Sequence, residues 1–314
     1  MTYSSEVRLG SLVLKNPVMT ASGTFGYGAE YAQLLPINKL GGIVTKAVTV
    51  RPRPGNAAPR IWETPSGMLN SIGLANVGLE RFLVEKMPFL RALDCAVVVN
   101  IAGATDDEYC RLAEGLSIDG IAALEVNISC PNVKDGGLSY GASCDATGRV
   151  VERIRACTDR HLMVKLSPNV TDIGEFARIA EQAGADSISA INTLVGMAVD
   201  VRTRKPRIPT ITAGLSGPAI KPVGLACIWK IAKATRLPIC AMGGIATWED
   251  AVEYLLVGAT AVQVGTINFV NPRAPIEVVE GIERYCREQG VASPMDLVGT
   301  LDVEGSGAIA ASPW

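Results

Sequence analysis

AVVVNIAGATDDEYCRLAEGLSIDGIAALEVNIS, residues 96–129, holds two apolar runs, AVVVNIAG (96–103) and ALEVNIS (123–129), on either side of an amphipathic stretch of helical length. The unit reads strand, helix, strand, and each strand run closes on a polar or glycine cluster. The same pattern recurs outward from it in NPVMTASG (16–23), GGIVTKAV (41–48), LMVKLS (162–167), SISAINT (187–193), PICAMGG (238–244) and AVQVGT (261–266). Eight such runs, each followed by a helical stretch, predict a (β/α)8 TIM barrel of the α/β class. In that architecture the active site lies where the strands end, so the strand ends carry the functional reading.

The 314 residues suit one barrel with insertions, so a single domain over 1–314 is expected. With 48% hydrophobic and 19% charged residues the chain can fill one large core, which excludes disorder. A net charge of -2 offers no basic surface for nucleic acid. The polar start MTYSSEVRLG has no apolar signal region, and no run approaches the ~18 apolar residues of a membrane span. A cytoplasmic protein that avoids membranes is expected. Cys95, Cys110, Cys130, Cys144, Cys157, Cys227, Cys240 and Cys286 are scattered without a CxxC pair. With one histidine in the chain, neither a zinc site nor an iron–sulfur site has its ligand motif. The cysteines are expected to be reduced, and most to be small buried apolar residues. His161 precedes the fifth run, at the face opposite the presumed site, and reads as structural.

EVRLGSLVLK (6–15) predicts a hairpin turning at Gly10-Ser11, placed over the barrel's bottom. Two insertions interrupt the alternation, 51–76 after the second strand and 194–217 after the sixth; both read as loops with at most short strands. Long structured loops at the strand-end face usually bind or cover ligands. DGGLSYGAS (135–143) is glycine-rich enough for a lid, and GSGAIAASPW (305–314) reads as a frayed end.

Five strand ends are polar in register: Lys46, Asn100, Asn127, Lys165 and Asn192-Thr193. One would be an ordinary hydrogen bond at a loop start. Five, with two inward lysines that no structural need explains, point to a shared anionic or polar ligand. Strand seven ends in Gly243-Gly244 and strand eight in Gly265-Thr266, where glycine lets backbone N–H groups approach a phosphate. Gly217, before the helix-forming PAIKPVGLACIWKIAK, adds another N–H. In ISCPN (128–132), Cys130 follows Asn127 on a tight glycine-rich loop, where a thiolate can act as base or nucleophile.

These residues closely resemble the flavin-containing dihydroorotate dehydrogenases. The matching stretches are TASGTFG, GGIVTKAVT, MLNSIGLAN, VNISCPNVKDGG, VKLSPNVTD, INTLVGM, GLSGPAIKP, AMGGI and VQVGT, spread from residue 20 to 266. AMGGI departs mildly, with Ala241 where relatives often carry glycine. Cysteine at position 130 and the missing N-terminal membrane-associating extension resemble the soluble classes. NISCPNVKDGG, KLSPNVTD and NTLVGM look like the NAD-linked type, which works with a second subunit carrying FAD and an iron–sulfur cluster.

The resemblance implies that dihydroorotate is oxidised to orotate in pyrimidine (UMP) biosynthesis, FMN taking a hydride equivalent from C6 while Cys130 removes a proton from C5. It implies that Lys46 serves flavin and substrate, and that Lys165 lies by the flavin N1–O2 edge. Asn70, Asn127, Asn132 and Asn192 would hold the pyrimidine ring, with Thr193 adding a hydroxyl. Backbone N–H groups of Ser71, Ile72, Gly73 and Leu74 would hold the substrate carboxylate. Ala21, Ser22, Gly23, Ala47, Asn100 and Ile191 would contact the flavin, and Gly217, Gly243, Gly244, Gly265 and Thr266 its phosphate and neighbouring groups. Relatives form homodimers, and the NAD-linked type a heterotetramer. Three other readings stay open: a fumarate-linked enzyme without a partner subunit, an RNA-modifying flavin barrel such as a dihydrouridine synthase, and a non-catalytic scaffold subunit. The charge balance disfavours the second, and intact Cys130, Lys46 and Lys165 disfavour the third.

Overall fold

The computed structural model describes residues 3–129 and 140–303. Cys130, Asn132, most of the 135–143 stretch and the 305–314 tail lie outside the described residues. Eight parallel strands close a barrel: Val18–Thr20, Gly42–Val44, Ala96–Ile101, Ala123–Asn127, His161–Lys165, Ser187–Ala190, Ile239–Met242 and Ala261–Val264. Seven sit inside their apolar runs, and the fifth begins one residue earlier, at His161. Closure is direct, with Val262 opposite Val18 and Gln263 opposite Met19.

Helices follow strands three to eight at Asp106–Gly115, Cys144–Cys157, Ile173–Gln182, Lys221–Ala234, Trp248–Leu256 and Ala274–Glu288. Their starts are chemically marked. Thr105, Ser143 and Asp172 accept backbone N–H groups at three N-caps, and Thr247 with Asp250 forms a capping box. Strand one breaks the expected alternation. It is followed only by 3-10 turns at Ala29–Tyr31 and Ile37–Lys39, because SGTFGYG and Pro36 interrupt any helical run there.

The hairpin is present, with Val7–Leu9 antiparallel to Leu12–Leu14. Val7, Leu9, Leu12 and Leu14 are buried against Met19, Val98, Met163 and Cys240, which come from four barrel strands. The alternating pattern therefore plugs the barrel floor. His161 fastens the plug: its Nδ1 lies 3.1 Å from Ser11 Oγ and its Nε2 2.7 Å from Ser187 Oγ. Burial, aided by the nearby Arg155 charge and opposed by Asp186, pushes the imidazole down to about 4. The folded chain thus holds it neutral, while an unfolded chain protonates it below pH ~6.5. Stability is complete above that pH and lost as pH falls toward the folded value. Denaturant titrations should show a loss of about 2 kcal/mol between pH 7 and 5, absent in His161→Gln.

The two insertions hold a feature the sequence did not announce. Ile61–Thr64 and Gly67–Asn70 come from the first, and Leu194–Met197 and Thr212–Ser216 from the second. They form one four-stranded antiparallel sheet in which Thr212–Ser216 pairs with Gly67–Asn70. Of the seven cysteines described, Cys110, Cys240 and Cys286 are buried and four are half-buried, so fewer than expected serve as core residues.

Candidate active site

A cavity opens at the strand-end face. It is lined by Lys46, Asn100, Asn127 and Lys165 from the barrel, by Asn192 and Thr193 after strand six, and by Asn70 and Gly214 from the inserted sheet. Ala21, Ser22, Gly23, Ala47, Ile72, Gly73, Leu74, Ile191, Gly217, Gly243, Gly244, Gly265 and Thr266 complete the predicted set on its walls. Among the described residues of that set, Ser71 is the exception. It is fully buried, its N–H donates to the Arg60 carbonyl at 2.7 Å, and its Oγ is bonded to Asn56 Nδ2 and Thr210 Oγ1. It holds the 70–74 loop from behind rather than facing the cavity. Apolar residues outside the prediction, Ile61, Met68 and Phe269, line the same space.

Lys46 stands two residues beyond strand two, its backbone N–H bonded to the Gly26 carbonyl at 2.8 Å. Partial burial and then the Arg60 charge pull its ammonium below the usual lysine range, against Glu30. Lys165 ends strand five, only 4% exposed. Its Nζ lies 2.9 Å from Ser22 Oγ and 3.5 Å from Glu125 Oε2. Glu125 is fully buried, and accepts from Gln263 Nε2 at 2.8 Å and Asn100 Nδ2 at 2.5 Å. Burial works to raise its carboxyl, but Lys165, Gln263 and Asn100 outweigh this and hold it below the usual carboxylate range.

The inward lysine therefore has a carboxylate, which the sequence reading overlooked. The signal was there: a glutamate inside ALEVNIS and a glutamine inside AVQVGT, each breaking an apolar strand. A single polar residue in a buried strand must find a partner, and two on facing strands can find each other.

The amides extend this network. Asn127 Nδ2 donates to Asn100 Oδ1 at 3.4 Å, Ser129 Oγ to Asn127 Oδ1 at 3.2 Å, and Asn192 Nδ2 to Ser129 Oγ at 2.7 Å. Asn70 reaches across the inserted sheet, donating to the Gly214 carbonyl at 3.2 Å. On the opposite side the rim is backbone. A Cβ on Gly23 would meet no atom within 4 Å, so the chain there borders open cavity. Gly244 has φ +76, and a Cβ would sit 2.7 Å from Lys221 N and 2.9 Å from the Gly217 carbonyl. Tyr254, buried behind this rim, donates its hydroxyl to the Gly243 carbonyl at 2.6 Å. The arrangement suits a planar polar ring over the amides and lysines, with an anionic group at the glycines.

A model of the dihydroorotate dehydrogenase family matches residues 5–285, most of the chain. The chain belongs to the dihydroorotate dehydrogenase family. Its members are flavin-dependent oxidoreductases. Among its relatives is a protein of Trichlorobacter lovleyi, 52% identical over 303 residues that cover 96% of this chain and all of the relative. One of Pelobacter propionicus has the same identity and coverage. One of a Thermoanaerobacter species is 48% identical over 95% of this chain and 99% of its own length. All three are named dihydroorotate dehydrogenase B (NAD(+)), catalytic subunit. No described helix is long and apolar enough to cross a membrane.

Proposed function

We propose that this chain is the FMN-carrying catalytic subunit of an NAD+-linked dihydroorotate dehydrogenase, acting in the cytoplasm in pyrimidine synthesis. The observation that carries the reading is the cavity itself. It joins two lysines, four asparagines and a glycine rim in a chain about half identical to NAD(+)-linked catalytic subunits over nearly its full length. Gly217, Gly243, Gly244, Gly265 and Thr266 would take the FMN phosphate end. Ala21, Ser22, Gly23, Ala47, Asn100 and Ile191 would flank the ring, and Lys165 would face the edge that gains charge. FMN, once bound, supplies the two-electron acceptor.

The chain's own residues do the rest. Asn70, Asn127, Asn132 and Asn192 present both donors and acceptors to a pyrimidine ring, and Thr193 adds a hydroxyl. Ile72, Gly73 and Leu74 hold the substrate carboxylate with backbone N–H groups, and Lys46 supplies a cation beside it. Cys130, as thiolate, removes the C5 proton. Electrons leave through a partner subunit with FAD and an iron–sulfur cluster, in a heterotetramer built on a homodimer of this chain.

Anaerobic mixing of the flavin-loaded protein with dihydroorotate tests the reading. Rapid loss of the flavin's visible absorbance is expected, with reoxidation by NAD+ only when the partner is present. No bleaching would sink the substrate assignment; reoxidation by fumarate without a partner would move the chain to the fumarate-linked type. Gly244→Ala should fold yet lose most of its bound flavin, read from the absorbance of the purified protein. An alanine there needs left-handed backbone, at about 1–2 kcal/mol, and places its Cβ against backbone atoms.

A further inference from the structure

Glu125 accepts three groups at once, Lys165, Gln263 and Asn100, deep in the barrel below the cavity. We propose that Glu125 is a positioning residue for the flavin chemistry: it fixes the Lys165 ammonium at the cavity floor and balances its charge, setting how strongly that cation favours reduced flavin. This rests on the reading of the cavity as an FMN site.

Lys165 is held from two sides, by Ser22 Oγ and by Glu125, so its Nζ has one place to sit. Gln263 and Asn100 donate to the carboxylate without neutralising it, because amides carry no charge. Lys165 is the one ion-pair partner of Glu125 among the described residues. A buried pair of this kind gives a fold little that apolar residues of equal volume would not. Its place beneath a ligand cavity gives it a different use.

A carboxylate that only accepts also dictates direction. Asn100 must turn its Nδ2 to Glu125, which leaves its Oδ1 for Asn127 Nδ2. Asn127 then offers Oδ1 to Ser129 Oγ, Ser129 Oγ accepts from Asn192 Nδ2, and Asn192 Oδ1 accepts the Thr193 N–H. Every amide in the row takes its orientation from one buried charge.

The test is the reduction potential of FMN bound to the full chain, by equilibration with a reference dye. In Glu125→Gln the Lys165 charge is no longer balanced. The equilibrium should shift toward reduced flavin by about tenfold, which for a two-electron couple is ~30 mV more positive. In a Lys165→Met background the same substitution should change nothing further. An unchanged potential in flavin-loaded Glu125→Gln overturns the inference, and so does an equal shift in the Lys165→Met background. If Glu125→Gln does not fold, Glu125→Asp, which keeps the charge but retracts it, should shift the potential in the same direction by less. No shift there overturns the inference as well. A wild-type chain that takes up no FMN sinks the cofactor reading and this inference together. A wild type that bleaches with dihydroorotate beside an unmoved Glu125→Gln sinks the inference alone.

Discussion

Cys130→Ser should fold, load flavin and bind substrate, yet turn over about 10²–10⁴-fold more slowly at neutral pH. A serine hydroxyl is far less acidic than a thiol, whose ordinary value is ~8.5, so the variant lacks a usable base near pH 7. Wild-type rates should climb as pH approaches the thiol's range, and the climb should move to higher pH in the variant. The chain entering Cys130 is firmly set: Ser129 is buried, and its hydroxyl is bonded to both Asn127 and Asn192. Steady-state rates from pH 6 to 9, at matched flavin occupancy, make the measurement. Unchanged turnover would mean that another group takes the proton or that the chain is a scaffold.

Lys165→Met should have two large effects that can be separated. It leaves Glu125 as an unpaired charge inside the barrel, which should lower stability by about 3–5 kcal/mol. It also removes the cation from the flavin edge, which should slow flavin reduction by dihydroorotate about 10²–10³-fold. Adding Glu125→Gln removes the stranded charge, so denaturant titration should show most of the stability regained. Stopped-flow bleaching should show the rate still depressed. If the double variant regained the rate too, Lys165 would be a purely structural partner of Glu125.

The barrel was legible because strands buried on both faces must be apolar until they end, and there the chain turns polar or to glycine. That contrast located the eight strands and most of the cavity wall: Lys46, Asn100, Asn127, Lys165 and Asn192 all stand at or near strand ends. The same averaging hid Glu125 and Gln263, since an apolar run absorbs one polar member without losing its character. Ser71 stands apart for another reason. Its neighbours in the loop face the cavity, but its backbone N–H is taken by the Arg60 carbonyl, a partner that no local pattern links to it. The helix expected after strand one failed where glycines and Pro36 already argued against it.

The inserted sheet fixes when the site can come into being. Asn70 and Gly214 meet across 144 positions of sequence. Contacts so distant along the chain form late, because a long loop must be closed before they repay it. During synthesis, the first five strands can emerge while one wall of the cavity does not yet exist. Capture of a flavin by this cavity would thus wait for its last wall, and cofactor supplied early in refolding would find nothing to hold it.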